Sequence, residues 1–121
     1  MKPKINNTEF GSITIDKEIF NHDVIISLDG EIKKRKKKLS KAVYGTSHTV
    51  SLEEARYVYE KGARLLIFGT GQYSTAHLSN EAKDFFKKQN CKVKVLSTKD
   101  AMKAWNKSDE KEKIGLFHLT C

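Results

Sequence analysis

Three stretches of the chain combine residue types that could bind or transform a ligand. The first, Gly69-Thr70-Gly71-Gln72-Tyr73, follows directly on the apolar run Leu65–Phe68. Two glycines let the backbone approach a ligand closely and aim its amides at an anion. The carboxyl end of a buried strand is also where open α/β sheets hold their ligands. As a dinucleotide loop the stretch is incomplete. Ser74 stands where a third glycine would pack, and the next helix begins only near Ser79. The following strand, Val93–Leu96, ends in Ser97-Thr98 with no acid for a ribose. A tight turn at a strand exit uses the same residues.

The second stretch, Tyr44-Gly45-Thr46-Ser47-His48-Thr49, gathers hydroxyls and an imidazole just ahead of a helix start, where free amides favour negative charge. Ser47 beside His48 suggests a nucleophile and its base. Adjacent residues rarely meet through their side chains, though, and no third acid is in view. Such hydroxyls also satisfy the loop's own backbone. The third stretch is basic: residues 31–41 hold seven of the 23 Lys and Arg against one acid, and so six of the net eight positive charges. On an extended strand Lys33, Arg35 and Lys37 would face one way and Lys34, Lys36 and Lys38 the other. Lysines there would guard a sheet edge, or make a salt-sensitive contact with phosphate or an acidic protein. No aromatic is interleaved with them for base stacking, which argues against nucleic acid.

Elsewhere the chemistry is sparse. His22, His48, His77 and His118 have no metal-ligand spacing. Cys91 and Cys121, thirty positions apart, read as reduced thiols. With no complete cofactor motif, no cofactor is expected. If a ligand site exists, it lies where Gly69, Thr70, Gly71, Gln72 and Tyr73 meet Ser47, His48 and Thr49, with Arg35 or Lys36 neutralising an anion.

The elements that would position these residues follow from periodicity. Phe10, Ile13 and Ile15, then Ile19-Phe20 after Asp16-Lys17, read as antiparallel β. Val24–Leu28 and Ile32 flank Asp29-Gly30, a type I′ hairpin signal. Residues 35–50 lack a period and read as a long exposed connection. Ser51-Leu52-Glu53-Glu54 is a capping box, and Leu52, Ala55, Val58 and Tyr59 then share a helix face that ends at Gly62. Ala63–Phe68 is apolar enough to be covered on both faces. Ser79 caps a helix burying Ala82, Phe85 and Phe86, and Val93–Leu96 is a strand. Thr98 caps a helix with Ala101, Met102 and Trp105 inward, and Ile114–Leu119 is the last strand. Alternation from residue 51 onward predicts a three-layer α/β fold. Its central mixed, mostly parallel sheet would have helices on one side and N-terminal antiparallel hairpins on the other or at an edge.

A chain of 121 residues fits one domain, with residues 1–9 read as a flexible N-terminus. No stretch nears the roughly 18 apolar residues of a membrane span, so no membrane insertion is expected. Neither a secretory nor an import leader is legible, which points to the cytoplasm. An apolar outer face on the hairpins would suit a homodimer.

Several motifs occur together in a fixed order: Phe10-Gly11-Ser12, Asp23–Ile26 with Asp29-Gly30, Arg35-Lys36, Tyr44–His48, Gly69–Tyr73, Trp105-Asn106 and Phe117–Cys121. In this the chain resembles the Mth938-type domain family over nearly its whole length. The resemblance implies the same three-layer fold and little about activity, since the family was named for its unknown function. Its best-understood branch works by protein binding during assembly of a membrane complex. A non-catalytic module with a protein partner is therefore the favoured expectation, and a pocket for a small anion the alternative.

Overall fold

A computed structural model describes residues 2–121. Its centre is a five-stranded sheet in the order β5-β4-β10-β7-β9: β4 is Val24–Ile26, β5 Ile32–Lys34, β7 Leu65–Thr70, β9 Lys92–Leu96 and β10 Lys113–His118. The sheet is mixed, parallel across β10-β7-β9 and antiparallel across β5-β4-β10. The last strand in sequence is thus the middle strand in space. Strand side chains alternate between faces, and both faces are apolar, as the unbroken run in β7 requires.

Ile25, Leu66, Phe68, Ile114 and Leu116 face a layer of helices, α2 (Leu52–Val58) and α3 (Asn80–Lys88), which brings Val58, Ala82 and Phe86. Two short parallel strands, β6 (Thr49–Val50) and β8 (His77–Leu78), lie in that layer. Val24, Ile26, Leu65, Ile67 and Phe117 face the opposite way. There they meet an antiparallel sheet of β1 (Ile5–Glu9), β2 (Ser12–Ile15) and β3 (Glu18–Phe20), together with α4 (Thr98–Lys107). The expected layers are present, and α4 stands beside the hairpins.

Several local expectations are corrected. The residues read as a flexible N-terminus carry β1, because Asn106 clamps the backbone of Ile5 (N to Oδ1 2.9 Å, Nδ2 to O 2.7 Å) and Trp105 Nε1 donates to Pro3 O at 2.9 Å. The connection at 35–50 contains a helix of about two turns, α1 (Lys38–Tyr44), whose buried residue is Ser40. A helix anchored by a serine shows no apolar period. Positive φ at both central residues occurs at Asp16-Lys17, whereas at Asp29-Gly30 only the glycine has it. Gly30 donates to Ser27 O and Ser27 to Glu31 O, the pattern of a three-residue loop with a bulge. Finally, Ser97 caps α4, and the Thr98 hydroxyl is spent on β7 and β10 instead.

Candidate functional site

The carboxyl ends of β7 and β10 converge with the start of β4 and the exit of β5. Asp23 precedes β4 and Arg35 follows β5, where the Arg35 amide donates to Asp23 O at 3.0 Å. The Arg35 side chain turns inward and is fully covered. Its Nε lies 2.5 Å from Glu54 Oε2 and its Nη2 3.0 Å from Oε1, a bidentate pair with a carboxylate from α2. Nη1 reaches Asp23 Oδ2 at 3.0 Å, and Nη2 also donates to Ser47 O at 2.6 Å. Ser40 donates to Glu54 and accepts the Ser51 amide, tying α1 to α2. Ser51 Oγ accepts from the Glu54 amide, as the capping box predicts, but the Glu54 carboxylate goes to Arg35.

Asp23 joins this cluster to the middle strand. Its Oδ1 accepts from Leu119 N at 2.9 Å, and its Oδ2 lies 2.7 Å from His118 Nδ1 and 3.5 Å from Lys37 Nζ. Burial alone would raise its pKa, but the His118 hydrogen bond and charge, the Leu119 amide and Lys37 together bring it down to about 2. Burial would likewise depress Arg35, and its pairs with Glu54 and Asp23 outweigh that and raise it. An ionised Asp23 only accepts, so His118 Nδ1 carries a proton. Nε2 then faces Thr120 Oγ1 at 3.4 Å.

A carboxylate depressed from 3.8 to about 2 contributes stability above its unfolded pKa that is lost as pH falls toward the folded one. Acid titration of the folding equilibrium should lose about 2 kcal/mol from Asp23 between roughly pH 5 and pH 1. Asp23→Asn should flatten that part of the curve.

The turn after β7 points the amides of Gly71, Gln72 and Tyr73 at the chain's own hydroxyl and carbonyl groups. Gly71 N donates to Thr98 Oγ1 at 2.9 Å, Gln72 N to Thr120 O at 2.7 Å, and Tyr73 N and Thr75 N to Cys121 O at 3.3 and 3.1 Å. Gly71 has φ +104°, and a Cβ there would fall on the Cys121 carbonyl and within 2.9 Å of His118 Cδ2. The glycine is required by that close approach.

Above the cluster opens a cleft of about 650 Å³, floored by Asp23, Arg35 and Leu119 and bordered by Lys34, Lys36, Lys37, Lys38, His22 and Thr120. Lys36 Nζ also lies 4.4 Å from the Tyr57 ring centre, with Lys33 Nζ at 5.4 Å. Side-chain alternation ends with β5 at Lys34, because α1 begins four residues later.

Of the residues expected to form a site, Arg35 and Lys36 line this cleft. Ser47 contributes its carbonyl to Arg35. The His48 ring packs edge-on against His118 at 5.5 Å, and Thr49 Oγ1 lies 3.2 Å from His77 Nε2. Gly69 and Gly71 pack under Thr98, and Thr70 Oγ1 donates to Leu96 O at 3.0 Å. Gln72 Nε2 bonds Thr8 Oγ1 and Glu9 O, and Tyr73 stands exposed against Phe10. The two loops therefore meet around His118, while the cleft lies on the Arg35 side. Sequence reasoning missed Asp23 and Glu54 as partners of Arg35, and Ser40 as a partner of Glu54. Glu54 was hidden in a capping box, and Asp23 stood out only as the first residue of the ordered motif Asp23–Ile26.

Residues 5–117 match the model of a protein family of unknown function, DUF498/DUF598. The chain belongs to that family, the Mth938-type domains. It is 33% identical to the conserved hypothetical protein PH1505 from Pyrococcus horikoshii OT3, with a TM-score of 0.91 over 98% of this chain and 99% of that one. With the protein solved as MT938 the identity is 25% and the TM-score 0.82, covering 99% and 100%. A Mth938-like domain from Bordetella pertussis, solved in solution, shares the fold at 13% identity (TM-score 0.62, covering 97% and 85%). In this Mth938-type domain part of the ordered motif set comes together in three dimensions, while Asp29-Gly30 and Trp105-Asn106 lie at the opposite end of the sheet. Asp23, Arg35, Tyr44–His48, Gly69–Tyr73 and His118 all lie at one end of the central sheet.

Proposed function

We propose that this chain is a non-catalytic binding module whose basic cleft receives an acidic segment of a partner protein. One observation carries the reading: the buried ionisable groups Asp23, Arg35, Glu54 and His118 are engaged with one another and with Lys37, which leaves Lys34, Lys36 and Lys38 as charges at the mouth with no acid paired to them among the described residues. Lys34, Lys36 and Lys38 are exposed. The cluster beneath fixes the backbone that carries them, so the charges are presented on a rigid rim. The test is capture from an extract of the native cell with the wild type and with Lys36→Glu/Lys37→Glu/Lys38→Glu. Acidic partners should be retained by the first and lost, by about tenfold or more, by the second. Equal capture by both sinks the assignment to this cleft.

A second reading is favoured by the line Asp23 Oδ2–His118 Nδ1, Nε2–Thr120 Oγ1 opening into the same cleft. It makes the cleft a pocket for a small anion held by Lys37 and the Thr120 hydroxyl. A thermal-shift screen of nucleotides, phosphates and carboxylic acids separates the two. A ligand at 100 times its Kd should stabilise the protein by about 2.7 kcal/mol, and a flat screen removes this reading.

A further inference from the structure

At the far edge of the central sheet, strand β9 has no neighbouring strand on its outer side among the described residues. Lys92 N donates inward to Arg64 O, so Lys92, Lys94 and Leu96 bond to β7 while the amides and carbonyls of Val93 and Val95 point outward. Side-chain parity adds to this. Cys91 and Val93 turn to the α2–α3 face, and Val95 on the same face is 50% exposed. A groove of about 620 Å³ runs here, between β9 and α3, with Leu78, Val93 and Val95 on its apolar floor. The charged side chains that overlook it on this face, Lys83 and Lys87 from α3, are both basic, and Lys92 borders it from β9 with its side chain on the opposite face. A free strand edge is ordinarily protected by lysines, which accounts for Lys92 and Lys94. It leaves unexplained the apolar floor and the two helix lysines that overlook it.

We infer that this edge accepts an extended acidic segment of another protein as a sixth strand of the sheet. The outward groups of Val93 and Val95 supply main-chain hydrogen bonds. On the groove face, β-branched residues of the incoming strand pair with Val93 and Val95. On the other face, carboxylates lie across from Lys92 and Lys94, and further acids reach Lys83 and Lys87. A second copy of this chain fits badly, because β9 against β9 sets lysines against lysines with no acid in the lining. The partner's signature is thus an alternation of acidic and β-branched residues. This surface is separate from the Lys36–Lys38 cleft, and neither assignment depends on the other.

The test uses fluorescence anisotropy of a labelled peptide of alternating glutamate and valine, with alternating lysine and valine as control. The wild type should bind the first saturably and not the second. Lys83→Glu/Lys87→Glu, at two exposed helix positions, should weaken binding about tenfold or more. Val95→Pro removes an outward amide that β7 does not use, so it should abolish binding while circular dichroism stays native. Lys36→Glu/Lys37→Glu/Lys38→Glu should bind within about threefold of wild type, the residue of long-range attraction. Undiminished binding by a folded Val95→Pro, or by Lys83→Glu/Lys87→Glu, overturns the proposal, as does loss of binding in the cleft variant alone. Should Val95→Pro fail to fold, the helix pair decides.

Discussion

Arg35→Met should lower the stability of the folded chain by about 3–5 kcal/mol, measured as a drop in the urea midpoint at unchanged slope. The side chain is fully covered, and it is the cation shared by Asp23 and Glu54, both also covered. Removing it strands the Glu54 carboxylate in a dry interior without the charge that offset its desolvation, while Asp23 loses one partner and keeps His118, Lys37 and the Leu119 amide. The cost is therefore the orphaned Glu54 carboxylate more than the lost hydrogen bonds. A second variant makes this distinction measurable. Arg35→Met/Glu54→Leu removes the bidentate partner as well, and should be more stable than Arg35→Met alone. If Arg35→Met cost under about 1 kcal/mol, water would have to reach the cluster, and the rigid rim argued for Lys36–Lys38 would be lost.

Gly71→Ala should cost about 2–5 kcal/mol, the sum of left-handed backbone strain and overpacking. The position has φ +104°, and an added Cβ would displace either the Cys121 carbonyl or the His118 ring. Both belong to the network that closes the carboxyl end of the sheet, so His118 resonances should shift with the loss of stability. Gly45 is the control. It too has positive φ, +69°, but nothing lies within 4 Å of its Cβ, and Gly45→Ala should cost only the backbone term of about 1–2 kcal/mol. Thermal unfolding of the two variants side by side measures the difference.

The regular parts of this fold were legible because apolar periodicity and caps report directly on burial. The unbroken run in β7, the serines at 51 and 79 and the Trp105 stripe each landed where their physics put them. What the sequence concealed was polar. Arg35 sits in a run of lysines and looks solvated, yet it is the one member of the run buried in the core. Nothing local distinguishes it, because its partners come from α2 and from before β4. Helix α1 was invisible for the same reason, since its inward contact is the Ser40 hydroxyl. The glycine turn after β7 was recognised as a place of close approach. The approaching group proved to be the chain's own segment after β10, which only the pairing of β10 beside β7 could bring there.

The Lys34–Lys38 cleft as an acidic-partner site is tested most directly by titrating the isotope-labelled full chain with poly-L-glutamate and following backbone amide shifts. Saturable shifts at Asn21–Asp23, Lys34–Lys38 and Leu119-Thr120, suppressed by salt, are the predicted result. The account is contradicted if those amides stay still, or if the shifts fall only on Leu78 and Lys92–Val95.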